Sequence, residues 1–191
     1  DPDSTGGPGS SACIDDMTVR VPKDQINLIG TKFFNKDLSQ TLKSFEQLYN
    51  QTVGDKGSKL LITLHKPHSF FVMGIEDRLV QVLRNLVENA QSFSPPNNTI
   101  RVDVRKIENK VQIIVEDKGP GISPESLDRI FQRFYQDRQK KEEFGNHSGL
   151  GLNICEQIVE LHNGRIWAEN ITQKSGQISG ARFIVEFPSL E

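Results

Sequence analysis

The stretch from Leu79 to Phe93 (L-V-Q-V-L-R-N-L-V-E-N-A-Q-S-F) constrains the fold more than any other part of the chain. Leu79, Val82, Leu83, Leu86, Val87 and Ala90 recur at helical spacing and form one continuous apolar stripe, which needs a partner layer to bury it. Beside the stripe stand Asn85 and Asn89, four residues apart and so stacked one turn above the other. Asparagine suits a helix interior poorly, because its amide competes for backbone hydrogen bonds. Two of them at the rim of a buried face fit either a ligand or metal-bound water, or two polar groups satisfied by neighbouring loops.

The chain has 191 residues, enough for one domain with a sizeable core and some tail. Hydrophobic content of 35% is low and charged content of 25% is ordinary, as for a globular chain with flexible pieces. A net charge of −2 speaks against a nucleic-acid-binding surface. Cys13 and Cys155 are far apart and show no metal spacing, so free thiols in a reducing compartment are expected. No apolar run reaches membrane-spanning length, and no signal-peptide pattern opens the chain.

Residues 1–36 read as a leader or linker, partly disordered or left from cloning: D-P-D-S-T-G-G-P-G-S-S offers nothing to bury. Met17 to Phe34, with Val19 and Val21 alternating, fits neither a strand nor a helix template well. A folded domain is expected over 37–191. It begins with a helix that Asp37 caps and that carries Leu38, Leu42, Phe45, Leu48 and Tyr49 on one side. Leu60 to Leu64 and Ser69 to Val72 read as short strands linked through Pro67. The asparagine helix stops at Ser94-Pro95-Pro96-Asn97-Asn98. A hairpin follows, with Ile100, Val102 and Val104 alternating up to Glu108-Asn109-Lys110, then Val111, Ile113 and Val115.

The second hairpin strand runs into Asp117-Lys118-Gly119-Pro120-Gly121-Ile122, and Ser123-Pro124 predicts a short helix bearing Leu127, Ile130 and Phe131. Phe134 to His147 is charged and aperiodic, a long surface loop of the kind that is functional or disordered. Ser148-Gly149-Leu150-Gly151-Leu152 opens a helix that turns Ile154, Ile158, Val159 and Leu161 inward and ends at His162-Asn163-Gly164. Arg165 to Ile171 and Ala181 to Phe187 are closing strands. The order predicts an α+β two-layer sandwich, a mixed sheet of about five strands with three main helices on one face.

Three segments are candidates for chemistry. Asn85 and Asn89 are the first. In the second, Asp117 could accept from an exocyclic amine while Gly119 and Gly121 let a flat ring approach; the same letters also suit an ordinary glycine-rich turn. In the third, Gly149-x-Gly151 at a helix start would aim unpaired amides at an anion such as phosphate, or would simply begin a helix.

In combination and order, N-L-V-E-N-A, D-K-G-P-G-I, F-Q-R-F-Y and S-G-L-G-L resemble the ATP-binding domain of sensor histidine kinases, in the GHKL superfamily with its Bergerat fold. The resemblance spans roughly Asp37 to Pro188. N-A-Q-S-F-S-P, R-F-Y-Q-D-R and F-G-N-H-S-G-L-G-L look most like alphaproteobacterial ChvG/BvrS-type envelope sensors. The resemblance implies ATP and Mg²⁺, with Asn89 as metal ligand and Asn85 supporting the phosphates. It implies Asp117 on the adenine amine, with Gly119, Gly121, Ile122 and Phe93 beside the base. Phe131 and Phe134 would anchor a lid formed mostly by Tyr135 to Asn146, with Arg133 near the phosphates. Ser148, Gly149, Leu150, Gly151 and Leu152 would receive the phosphates.

Hydrolysing relatives carry a water-activating glutamate where this chain has Asn85, whose amide cannot act as a general base. Glu88 stands about 100° from Asn89 around the helix. Negligible hydrolysis and transfer to an outside nucleophile are therefore expected, with Glu88 a solvated residue or a contact to the phosphoacceptor domain. Many family members also carry a lysine at the position of Ser92; Arg133, Arg138, Lys140 or Lys141 could substitute, or could be solvated loop charges. His147 could hydrogen-bond to phosphate or be an exposed loop residue.

None of His65, His68, His147 and His162 lies in an H-E-x-R-T-P-like helix. The resemblance thus implies the catalytic half of a larger kinase, the cytoplasmic part of a bacterial inner-membrane receptor, monomeric in isolation. Its partners would be a dimerisation domain carrying the phosphoacceptor histidine and then a response regulator. A nucleotide-hydrolysing relative and a degenerate ATP-binding regulatory module are the alternatives.

Overall fold

The computed structural model describes residues 34–52, 57–66, 69–135 and 149–190. The chain divides into units of Asp1–Thr31 and Lys32–Glu191, and all described residues belong to the second. The readings at Val19 and Val21, at Ser148 and His147, and along the lid from residue 136 onward lie outside the described residues, as do Arg138, Lys140 and Lys141.

The element order is β1 (Phe34–Asp37), α1 (Leu38–Thr52), β2 (Lys59–Leu64), β3 (Phe71–Gly74), α2 (Glu76–Phe93), β4 (Thr99–Ile107), β5 (Lys110–Glu116), α3 (Gly151–Leu161), β6 (Arg165–Thr172) and β7 (Ile178–Pro188). Five strands form one sheet in the order β2-β4-β5-β7-β6. β2 runs parallel to β4 and every other pairing is antiparallel, so the sheet is mixed as expected. The expected α+β sandwich with three helices is the observed one.

Alternation along the strands explains the core. Val102 and Val104 of β4, Val111 and Val115 of β5, and Phe183, Val185 and Phe187 of β7 turn toward the helices and are buried. The α2 stripe closes over them, with Leu86 and Val87 at 1% and 0% exposure. Each such side chain contributes roughly 1.5–3 kcal/mol by leaving water. The β4–β5 hairpin turns through Glu108 and Asn109, since Ile107 pairs with Lys110.

Two features differ from the sequence expectation. The first is a strand ahead of α1: β3 pairs antiparallel with β1, Phe34 opposite Gly74 and Asp37 opposite Phe71. β1 thus begins ahead of the expected boundary at Asp37. Of its residues only Phe34 favours a strand, while Asn35, Lys36 and Asp37 disfavour one, so local pattern could not announce it. Asp37 performs the capping role read from sequence: its Oδ1 accepts from the Ser39 amide at 3.0 Å and the Ser39 hydroxyl at 2.7 Å. The same oxygen accepts from Phe70 N at 3.1 Å, tying α1 to the approach to β3.

The second difference follows Ser123. The expected short helix is a run of turns whose amides bond backward by three or four residues in alternation: Ser126 and Leu127 to Ser123, Arg129 and Ile130 to Ser126. The segment is too short to repay helix nucleation without outside support.

α2 and α3 are joined by His162, which is 3% exposed. Its Nδ1 donates to Ile158 O at 2.7 Å and its Nε2 accepts at 3.0 Å from the amide of Ile75, the N-cap residue of α2. At the other end, Ser94 N closes α2 on Ala90 O before Pro95 and Pro96 end the helix.

Candidate functional site

The second half of α2, the loop after β5 and the start of α3 carry the sequence-predicted residues, and the structure ties them together pairwise. Asn85 Nδ2 donates to Gly151 O at 3.2 Å, which fixes the first turn of α3 against α2. Asn85 also hydrogen-bonds with the Cys155 thiol, and burial pushes that thiol up to about 12. Asn89, one turn further along, is half-buried, and its amide has no hydrogen-bond partner among the described residues. An amide oxygen so placed suits a hard cation that keeps most of its water and binds through few protein groups.

Asp117 sits just past β5 and is 4% exposed. Its Oδ1 accepts from Gly119 N at 2.8 Å and from Ala181 N at 3.0 Å, so one carboxylate oxygen holds both the loop and β7. Gly119 presses against the end of α2: a Cβ there would stand 2.7 Å from the Phe93 carbonyl oxygen. Ser94 Oγ accepts from Lys118 N at 3.2 Å and seals the same junction. Gly121 has φ +79°, and a side chain on it would meet Ile178 Cγ2 and Asn170 Oδ1, so the position requires glycine on both counts. Ile122 is held by Asn170, whose Oδ1 accepts from Ile122 N and whose Nδ2 donates to Ile122 O, both at 2.7 Å.

Gly149 has φ +69° and packs against the backbone of Phe134 and Tyr135; its carbonyl accepts from Phe134 N at 3.1 Å. Leu150 stands at the N-cap of α3, and its apolar side chain makes no cap bond to the first amides of that helix. A Cβ on Gly151 would meet nothing closer than Asn85 Cγ at 3.9 Å. Packing against the described residues therefore does not demand glycine there. Leu152 packs on the core edge.

Phe131 meets Phe183 edge-on at 6.5 Å and is anchored in the core. Phe134 is different from expectation. The residue is 72% exposed with φ +60°, and among the described residues it is held by its backbone amide, which donates to Gly149 O. Arg133 is exposed, with Nε donating to Asn153 Oδ1 at 3.2 Å, while Asn153 Nδ2 donates to Phe131 O at 2.9 Å. Tyr135 is pinned through its hydroxyl to Ser126 Oγ at 2.7 Å, with the Arg129 guanidinium 5.0 Å over its ring. Ser92 turns its hydroxyl back onto Glu88 O at 2.9 Å, and Glu88 itself is exposed.

Sequence reasoning missed Ser94, Asn153 and Asn170. Ser94 had been hidden inside a breaker cluster and Asn153 inside a helix start. Asn170 left a signal, since asparagine is a poor strand former and stands mid-strand in β6.

Comparison with known proteins follows the same lines. The profile of the "Histidine kinase-, DNA gyrase B-, and HSP90-like ATPase" family matches residues 74–191. The Sensor protein ChvG of Rhizobium meliloti (strain 1021) is 46% identical over 160 residues, which cover 80% of this chain and 28% of that protein. The chain thus spans less than a third of that relative. Among solved structures, the catalytic domain of histidine kinase ThkA superposes with TM-score 0.68 at 28% identity, covering 83% of this chain and 98% of that one. Full-length ShkA in complex with AMPPNP gives TM-score 0.68 at 25% identity, over 84% of this chain and 32% of that one. ThkA in complex with the response regulator protein TrrA gives TM-score 0.64 at 26% identity, over 82% of this chain and 41% of that one. With its motifs joined in this geometry, the chain belongs to the histidine kinase-, DNA gyrase B- and HSP90-like ATPase family and has the fold of a histidine kinase catalytic domain.

Proposed function

We propose that this domain binds Mg–ATP and passes the γ-phosphoryl group to a histidine of a dimerisation domain in the same kinase, from which it moves to an aspartate of a response regulator. Asp117 would take the adenine amine on the carboxylate oxygen not used by Gly119 and Ala181. Gly119, Gly121, Ile122 and Phe93 would border the base. Asn89 would hold Mg²⁺ next to the phosphates, where the ion supplies charge neutralisation. Asn85 fixes the start of α3, and Gly149, Leu150, Gly151 and Leu152 would turn the amides of that helix start toward the phosphates, with Ser148 adjoining them in sequence. Arg133, held by Asn153 near that helix start, is the described cation best placed to stand in for a lysine at Ser92. Catalysis of this kind is positioning plus electrostatics.

The observation that carries the reading is the bond from Asn85 to Gly151. An amide stands where a hydrolase would need a carboxylate base, and it is spent on building the phosphate-facing helix start. The AMPPNP complex of ShkA and the TrrA complex of ThkA support nucleotide and response-regulator binding for this chain by likeness. Among the described residues no helix is long and apolar enough to cross a membrane.

Mixing the chain with the dimerisation domain of a ChvG-type kinase and γ-labelled ATP tests this. Acid-labile, base-stable label on the dimerisation domain is the expected result. Tight Mg–ATP binding without transfer would make the chain a regulatory module, and free phosphate released at a steady, brisk rate would make it a hydrolase.

A further inference from the structure

We infer that Asn170 is the positioning residue that sets the far end of the adenine loop, and through it the discrimination between adenine and other bases. The inference rests on the reading of Asp117 as the adenine acceptor. The loop from Asp117 to Ile122 leaves the sheet at β5 and is fastened at two points only a few residues apart. Its near end is held by Asp117 itself, through Gly119 N and Ala181 N. Its far end is held by Asn170, which meets the Ile122 amide and carbonyl at 2.7 Å each, much as a neighbouring strand would.

The two fastenings share a base. Asn170 lies opposite Ala181 in the β6–β7 ladder, and Ala181 exchanges backbone and carboxylate hydrogen bonds with Asp117. Asp117, Ala181 and Asn170 therefore form one row across β5, β7 and β6. A register irregularity follows immediately, between Ile171 and Thr172, at the place where bulges commonly re-aim side chains. From the start of β7, Ile178 leans its Cγ2 into the space a Gly121 side chain would occupy, and Asn170 Oδ1 would stand 2.8 Å from that same Cβ. Gly121 and Ile122 are thus gripped between β6 and β7 while the carboxylate that faces the base is held by the same ladder. A shift of Asn170 would move the loop backbone relative to Asp117 Oδ2.

Asn170→Asp is the sharpest variant. It keeps the acceptor for Ile122 N and turns the donor into an oxygen facing Ile122 O. Binding of Mg–ATP and Mg–GTP to the wild-type chain and to N170D is measured by titration calorimetry, with thermal melts alongside. The expected result is at least about a tenfold loss of ATP affinity, with a collapse of the ATP-to-GTP preference. A merely structural residue would lower the melting temperature and scale both affinities alike. Asn170→Ser, which keeps one hydrogen-bonding group on a shorter stem, answers the question if N170D melts below the assay temperature. An unchanged ATP-to-GTP ratio in the folded variant overturns the inference alone. A wild-type chain that binds neither nucleotide overturns the adenine reading and the inference with it.

Discussion

The side-chain amide of Asn85 donates to the backbone carbonyl of Gly151 across 3.2 Å, so the residue that could have been a catalytic base is instead a strut between α2 and α3. A neutral amide takes no proton from water, and Glu88, the nearest carboxylate along the helix, is exposed. Steady-state ATP turnover by the chain alone is therefore expected to be negligible and unaltered in Glu88→Gln. Brisk turnover abolished by E88Q, followed by phosphate release, would reverse the assignment. Asn85→Ala is expected to lower stability by about 1 kcal/mol in urea melts, the usual net value of such a bond.

Asp117 offers a cleaner separation of fold from ligand. In Asp117→Asn the oxygen that accepts from Gly119 and Ala181 can be kept, while the other becomes an NH₂ group that opposes the adenine amine donor to donor. The variant is expected to melt within a few degrees of wild type and to bind Mg–ATP at least about tenfold more weakly. Equal affinities in calorimetry would remove Asp117 from the base-binding role.

How much of this was readable beforehand differs by element. The α2 stripe and the β4–β5 hairpin were legible because period-3.6 and period-2 burial each leave a mark on every residue. β1 was not, because Asn35, Lys36 and Asp37 pair with β3 through backbone alone. The turns after Ser123 looked helical because Leu127, Ile130 and Phe131 have helical spacing, yet Phe131 packs against Phe183, a partner distant in the chain. In the candidate site, the D-x-G-x-G letters drew attention to Asp117 but not to its bonds with Gly119 and Ala181, the second of which joins residues far apart in the chain. Asn170 from β6 and Ser94 from the end of α2 each hold a loop distant in sequence, a relation that spacing along the chain does not encode.

Cys155 reports on the same α2–α3 seam. The thiol is 0% exposed, its Sγ lies 3.7 Å from Val82 O, and burial raises it to about 12. Only about one part in ten thousand would be thiolate at pH 8. In a Cys13→Ser variant, native chain is expected to react with a disulfide reagent at least about a hundredfold more slowly than chain in guanidinium. Fast native labelling would show that α3 opens away from α2 readily. Asn85→Ala should accelerate the native reaction, since it removes the bond that holds the first turn of α3.

His162 sets the expected pH dependence of stability. Burial holds its pKa below the ordinary 6.5, and only the neutral ring can donate to Ile158 O through Nδ1 while accepting from Ile75 N through Nε2. Above pH 6.5 the ring is neutral in both folded and unfolded chains, and the full stability is present. As pH falls below 6.5 the unfolded chain takes up a proton that the folded chain refuses, so stability declines at up to about 1.4 kcal/mol per pH unit until the folded pKa is reached. Glu76 and Glu169 have the same sign but act lower, below their ordinary 4.5: the Lys36 ammonium and Thr41 hydroxyl lower the first, and the Trp167 N–H and Arg182 guanidinium lower the second. Urea melts between pH 7.5 and 5.5 thus isolate the histidine from these carboxylates. Wild type is expected to lose stability across that window, and His162→Gln, less stable at pH 7.5, is expected to lose markedly less. Parallel slopes in the two proteins would mean that His162 takes its proton as readily in the folded chain as in the unfolded one, and that burial and the bond from Ile75 do not hold the ring neutral.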